Sequence, residues 1–191
     1  MEQIKRKKNW TLAVFCALVV FLAIDVVLLT LQNRELKLML KAMTPMAQVE
    51  PLKTGEKVAP IVVQTLDGKI SEISYTNPTK KYLLFVLSTT CPHCEKALIS
   101  WRTISQSNTA GKCDIIGVSL HNLDATRKYL ATKDVGFYTV SAASDTSFSR
   151  KYRITGVPET ILIKGNGSVE KVWIGELTQD QTNEIQKLMT A

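Results

Sequence analysis

The sequence predicts an α/β chain, a three-layer sandwich carried behind an N-terminal transmembrane helix, and three observations predict it. Residues Trp10 to Leu31 are apolar apart from Thr11, Asp25 and Thr30. Further along, apolar runs alternate with stretches that repeat at helical spacing, and strands alternating with helices fold as a sheet with helices on its faces. Finally, Gly165-Asn166-Gly167 separates two short apolar runs as a hairpin turn does. At 191 residues the chain has room for one sizeable core rather than two.

The elements follow in order. Residues 1–9 form a basic tail that includes Lys5, Arg6, Lys7 and Lys8. Residues 10–31 are the transmembrane anchor, since a helix of that length rises about 33 Å, enough for a bilayer core. A cleaved signal peptide fits less well, because its apolar region runs to about 7 to 15 residues and ends at a small-x-small site. The positive charges ahead of the span outnumber Arg34, Lys37 and Lys41 after it, which favours a cytoplasmic N-terminus. Asp25 reads as a polar residue tolerated near the outer interface. Residues 32–53 are a helical stalk and linker, with Leu36, Met39, Leu40 and Met43 at helical spacing and Pro45 and Pro51 breaking the pattern. The globular domain occupies 54–191.

Within that domain Ile61 to Gln64 and Ile70 to Ile73 flank Asp67-Gly68 as a small hairpin. Tyr82 to Leu87 and Asp114 to Leu120 are apolar enough for central parallel strands, and shorter strands are expected at Phe137 to Val140, Thr160 to Lys164 and Val169 to Ile174. One helix carries Cys94, Ala97, Leu98, Trp101 and Ile104 on a single face. Others are expected from Asp124 to Ala131, from Asp145 to Tyr152, and from Thr178 onward, where Thr178 and Gln181 have capping-box spacing.

The net charge of +7 invites a nucleic-acid reading, but its distribution opposes it. Residues 1–53 carry eight basic against four acidic residues, and residues 54–191 carry sixteen against thirteen. The folded part is only slightly basic, and no stripe of Lys or Arg is interleaved with aromatics. Nucleic acid is not an expected partner; the lipid bilayer is.

The chemistry concentrates in Ser88-Thr89-Thr90-Cys91-Pro92-His93-Cys94. Zinc needs about four ligands where this pair supplies two, and Cys113 and His121 stand alone, so no metal is expected. A purely structural disulfide closing so short a loop would constrain the unfolded chain little. Placed between a strand and a helix, Cys91 sits at a helix N-terminus, where free N–H groups and the helix dipole stabilise a thiolate, while Cys94 lies one turn in and can attack a mixed disulfide. That context makes the pair a redox centre, with the reversible Cys91-Cys94 disulfide serving in place of any bound cofactor. An imidazole at His93 favours the thiolate further. Val157-Pro158 just before a strand is a bond that can be cis, leaving the Val157 backbone free to pair with an incoming peptide. Cys16, inside the apolar span, and Cys113 read as small buried hydrophobes.

Together, the Cys-Pro-His-Cys stretch and Gly156-Val157-Pro158-Glu159-Thr160-Ile161-Leu162-Ile163 resemble the thioredoxin superfamily, specifically the membrane-anchored TlpA, ResA and CcmG (DsbE) group. Gly55-Glu56-Lys57-Val58-Ala59-Pro60 and Leu66-Asp67-Gly68-Lys69 are similar to the opening of the same group, so the likeness covers roughly Lys53 to Ala191. The resemblance implies a thioredoxin-like fold, Cys91 as attacking and Cys94 as resolving cysteine, Pro158 as a cis proline and Glu159 as a carboxylate near the active site that shuttles a proton or raises thiol pKa values. It also implies cysteine-containing client proteins, with apocytochrome c as the leading class, a membrane thiol-electron donor of the DsbD or CcdA type, and a periplasmic or extracellular domain on the cytoplasmic membrane. The departures are specific. Thr90 replaces the usual tryptophan, Phe85 takes the place of a buried aspartate, and Ala97 stands where ResA-like reductases carry an acid. Pro92-His93 with Val157 is the pairing of DsbA-type oxidases, and the anchor with Leu83 to Pro92 is similar to MauD, a maturation accessory. Client reduction is therefore the expected direction, oxidation or MauD-like maturation the alternative, and an anchored docking module with an incidental cysteine pair the alternative of another class.

Overall fold

The computed structural model describes residues 18–31, 33–34, 50–109 and 111–190. The chain divides into two units, Met1–Gln48 and Val49–Ala191. In the first, residues 18–31 form a helix, α1, apolar apart from Asp25 and Thr30, with Leu18, Phe21 and Leu29 each more than half exposed. Its one described hydroxyl, on Thr30, donates to the Val27 carbonyl at 2.7 Å. Among the described residues no helix is long and apolar enough to cross a membrane. The tail 1–9, residues 10–17 of the expected span with Cys16, and the stalk positions Leu36, Met39, Leu40 and Met43 lie outside the described residues.

The second unit is built on seven strands: β1 (Ile61–Gln64), β2 (Ile70–Ile73), β3 (Lys81–Leu87), β4 (Cys113–Ser119), β5 (Tyr138–Ser141), β6 (Glu159–Lys164) and β7 (Val169–Ile174). Their order in the sheet is β2-β1-β5-β4-β3-β6-β7. β3, β4 and β5 are parallel, and the flanking pairings are antiparallel. β3 lies between β4 and β6 and is buried from Tyr82 to Leu87, which is why it reads as a continuous apolar run rather than an alternating one.

Four helices complete the unit: α2 (Pro92–Ser107), α3 (Leu123–Thr132), α4 (Phe148–Lys151) and α5 (Gln179–Thr190). One face of the sheet packs Leu83, Phe85, Leu87 and Leu162 against Cys94, Leu98, Trp101 and Ile104 of α2, Tyr129 of α3 and Ile185 and Met189 of α5. The other packs Leu84, Val86, Ile161 and Ile163 against Phe148 of α4, with Tyr152, Tyr75 and Leu52 from the connecting segments. This second layer is thinner in helix than the sequence suggests. The helix expected from Asp145 to Tyr152 shrinks to a single turn because the Asp145 carboxylate accepts hydrogen bonds from the Ser147 amide and hydroxyl, at 3.0 and 2.5 Å, a local turn that competes with helix. α5 starts as expected, with the Thr178 amide donating to the Gln181 side chain at 2.9 Å and the Gln181 amide to the Thr178 hydroxyl at 3.3 Å.

Gly165 closes the β6–β7 hairpin where a Cβ would lie 1.7 Å from the Asn77 carbonyl oxygen, so no other residue fits. At the same end of the unit, residues 54–58 run along the start of β7: the Gly55 amide donates to Val169 and the Val58 amide to Gly167. The dithiol lies at the far end of β3.

Candidate active site

β3 delivers the chain to the site and α2 carries it away. Cys91 is the N-cap of α2, with extended backbone at φ −93° and ψ 115°, and Pro92 fills the first helical position, where its missing N–H costs nothing and its fixed φ suits the helix. The Cys91 amide donates to the Ser88 carbonyl at 3.2 Å and the Cys94 amide to the Cys91 carbonyl at 3.1 Å, which ties the two cysteines into one turn. Cys91 is half-buried and Cys94 fully buried; both are free thiols. Burial pushes the Cys94 thiol up to about 12, with the Ser88 backbone pulling it down and Cys91 adding to the rise. The pair is therefore asymmetric, one sulfur open to a partner and one held protonated inside.

Across from Cys91 stands the start of β6. The Val157–Pro158 bond is cis, and the Cys91 thiol donates to the Val157 carbonyl at 3.5 Å. Val157 is partly buried and packs against both cores, and the Gly175 amide at the end of β7 holds the Pro158 carbonyl at 2.8 Å. Cys91, Pro92, Cys94, Val157 and Pro158 are thus brought together. His93 stands on the rim. Its Nδ1 lies 2.8 Å from a carboxylate oxygen of Glu176, and Lys96 approaches the same oxygen at 3.7 Å. These contacts hold the Glu176 carboxyl below its ordinary value, the His93 hydrogen bond most strongly.

Glu159 does not join them. Its register partner is Val86, whose side chain lies on the face away from α2, whereas the next pair, Phe85 with Thr160, faces α2. Strand alternation puts the Glu159 carboxylate on the far side of the sheet from Cys94. There it is fully buried, and neither oxygen has a hydrogen-bond partner among the described residues. Burial pushes it up to about 7 against a weaker opposing pull from the Thr155 and Gly156 amides.

On the dithiol side, the ground beneath α2 is aromatic. Phe85 stacks on Trp101 at 4.7 Å between ring centres, and the Trp101 indole donates to the Thr160 hydroxyl at 3.0 Å. The Tyr129 hydroxyl is buried in this core without a partner; burial first, then the neighbouring Cys94, raises its pKa and keeps it neutral. Cys113 is also buried here and its thiol is pushed up to about 12, so it packs as a hydrophobe. Among the described residues no cluster of three or more His, Cys, Asp or Glu is placed to hold a metal ion. A hollow of about 620 Å³ between Lys80, Lys112, Lys164 and Met189 lies at the opposite end of β3, away from the dithiol.

Sequence reasoning missed Glu176 and the role of His121. Glu176 is 83 positions from the histidine it holds, and His121, which follows β4, belongs to no motif. Its ring contacts the Thr89 hydroxyl through Nδ1 and lies 3.5 Å from the Ser88 hydroxyl through Nε2.

Comparison with known proteins follows from this geometry. Residues 78–169 match a thioredoxin-like family. The chain is 24% identical over 130 residues to Sporulation thiol-disulfide oxidoreductase A of Bacillus subtilis (strain 168), covering 66% of this chain and 77% of that protein. The crystal structure of StoA from Bacillus subtilis superposes with a TM-score of 0.56 at 21% identity, covering 68% of this chain and 95% of the other. A structure described as thiol:disulfide interchange protein DsbE, from Chlorobium tepidum, gives 0.62 at 21% identity, covering 72% and 96%. The second unit has a thioredoxin-like fold, and the chain is similar to thiol-disulfide oxidoreductases of the StoA and DsbE kind.

Proposed function

We propose that this thiol-disulfide oxidoreductase is anchored in the cytoplasmic membrane by the apolar run 10–31, presents its thioredoxin-like domain on the extracytoplasmic side, and reduces disulfides in client proteins. The observation that carries the exchange chemistry is the asymmetry of the pair: Cys91 open at a helix N-terminus beside the Val157 carbonyl, Cys94 buried and protonated one turn in. The exposed surface of α1, apolar apart from Asp25 and Thr30, supports the anchor.

The exchange runs in two displacements. Cys91, as thiolate, attacks one sulfur of the client disulfide; a bond forms between Cys91 and that sulfur, the client bond breaks, and the departing client thiolate takes up a proton. Cys94 then loses its proton and attacks the Cys91 sulfur, forming the internal disulfide and releasing the second client thiolate. Two electrons pass from the protein to the client, and a membrane thiol-electron donor must return them. The reversible disulfide makes a bound cofactor unnecessary. The Val157 backbone, in the bend beside Cys91, offers hydrogen bonds to a client strand. Apocytochrome c is the leading client class, on the likeness of Gly156 to Ile163 to the maturation proteins.

One observation favours the reverse direction, in which the protein donates its disulfide: Pro92 and His93 stand between the cysteines, and an imidazole favours the thiolate. The reduction potential of the full chain in detergent, equilibrated with glutathione, separates the two. We expect a value near thioredoxin's, about −270 mV; a value near −120 mV would overturn client reduction.

A further inference from the structure

The sheet order places β4 beside β3 on the side opposite β6, so the loop that leads from β3 to Cys91 has a neighbour on each side. One is the Val157-Pro158 turn, against Cys91 itself. The other is His121, against Thr89 and Ser88, and nothing in the exchange chemistry yet uses it. The pairing of β4 with β3 continues one step beyond the strands, with the Leu120 amide donating to the Leu87 carbonyl at 3.0 Å, and the same register brings His121 level with Thr89.

His121 is held there by three buried hydroxyls. Its amide donates to the Ser119 hydroxyl at 3.2 Å, and its carbonyl accepts from the Thr126 and Ser141 hydroxyls at 3.2 and 2.5 Å. All three are at most 1% exposed, and Ser119 and Thr126 are themselves bonded at 2.8 Å. The polar cluster fixes a backbone whose side chain then reaches out of the core to Thr89 and Ser88. Ser88 is the hub of the next link. Its carbonyl takes the Cys91 amide, and its hydroxyl lies 3.2 Å from the Thr90 hydroxyl and 3.4 Å from the Thr90 amide, which donates to it.

We propose that His121 is a positioning residue for the exchange reaction: through Thr89 and Ser88 its imidazole fixes the loop that presents Cys91. The physical reason is that Thr89 and Thr90 are small and partly exposed and bring little packing of their own, so the loop between Leu87 and the first turn of α2 is held by hydrogen bonds. A displaced nucleophile attacks more slowly even where the fold is intact, and a 1 Å misplacement can cost about a hundredfold. The inference rests on the proposed exchange chemistry and deepens it.

The test is a cycle in the full chain, His121→Ala, Thr89→Val and the double variant, with a peptide disulfide as substrate and iodoacetamide alkylation of Cys91 as a second readout. Each single variant is expected to slow attack roughly tenfold through kcat, with KM unmoved. The double variant is expected to be no slower than either single, since two halves of one contact are not additive. His121→Asn, whose amide reaches where Nδ1 lies, is expected to recover most of the rate. Multiplying effects in the double variant, unchanged rates, or an Asn variant as slow as Ala would each overturn the proposal. If His121→Ala fails to fold, Thr89→Val and His121→Asn still decide it, being milder changes on the loop and at the same ring position. A wild-type protein inactive on the disulfide would refute the exchange reading, whereas an active wild type with unmoved variants refutes the role of His121 alone.

Discussion

The two faces of the sheet bury different kinds of polar group. Under α2, the dithiol face holds Cys94 in an aromatic surround where the Trp101 indole is satisfied by Thr160 and the group left without a partner among the described residues is a neutral hydroxyl, that of Tyr129. On the far face, the Tyr152 hydroxyl donates to the Ala59 carbonyl at 2.5 Å and lies 2.7 Å from the Tyr75 hydroxyl, yet Glu159 is buried with both oxygens unpartnered. The difference separates two jobs that a single buried acid performs when it lies beneath the cysteines. Here the acid near the active-site turn is across the sheet from the buried sulfur, so Glu159 is not placed to receive the proton that Cys94 must lose. The departing client thiolate, itself a base, is the natural acceptor.

The largest effect that sharpens this comparison belongs to the dithiol face. Cys91→Ser is expected to abolish disulfide exchange, because the attacking sulfur is gone. Cys94→Ser is expected to stop the reaction half-way, accumulating a mixed disulfide between Cys91 and the client that non-reducing electrophoresis resolves and a reductant releases. Retained function in a double serine variant would return the protein to the class of anchored docking modules.

On the other face the expected effect is on stability. The pKa of Glu159 lies near 7 in the folded protein, above its ordinary 4.5, so the folded state binds the extra proton between those values. Its contribution is fully present below about pH 4.5 and is lost as pH rises through 7, a change of roughly 3 kcal/mol at 1.36 kcal/mol per pKa unit. Glu159→Gln, which cannot ionise, should flatten that part of the profile and be the more stable form above pH 7, as read from urea midpoints between pH 5 and 8. If the same substitution also moved the titration of Cys94, the sheet would not be insulating the two groups, and the comparison between the faces would fail.

How much of this was legible in the sequence follows from which forces act locally. Apolar spacing gave the buried stripe of α2 residue for residue, and the runs around β3, β4 and β6 were recognisable because burial on both faces removes polar alternation. The start of α4 was misread because the Asp145 side chain, bonded to Ser147 at the N-cap, redirected the backbone. Within the site, Cys91, Cys94 and the Val157-Pro158 turn carried their own signals. Glu159 was placed near the active site by the family resemblance, which does not tell one face of this strand from the other; the parity of Thr160 and Ile161 decides that only once the core is known. His121 and Glu176 reach the site through sheet order and through the loop after β7, long-range placements that no local pattern encodes.

The smallest expected effect concerns the rim between the two faces. His93 is 64% exposed, and its ring is bonded to Glu176, so whatever charge it carries is partly cancelled by that carboxylate and screened by salt. Removing the imidazole takes away a group that favours the Cys91 thiolate, which destabilises the reduced form and moves the reduction potential to more negative values. With Glu176 in place, His93→Ala is expected to shift the potential by less than about 30 mV, tenfold in the equilibrium constant. In a Glu176→Gln background the counter-charge is gone and the same His93→Ala step should be larger. A shift beyond roughly 60 mV in the native background would mean that the imidazole acts on the sulfur despite Glu176, and the Pro92-His93 dipeptide, rather than the apolar bed under Cys94, would then set the direction of electron flow.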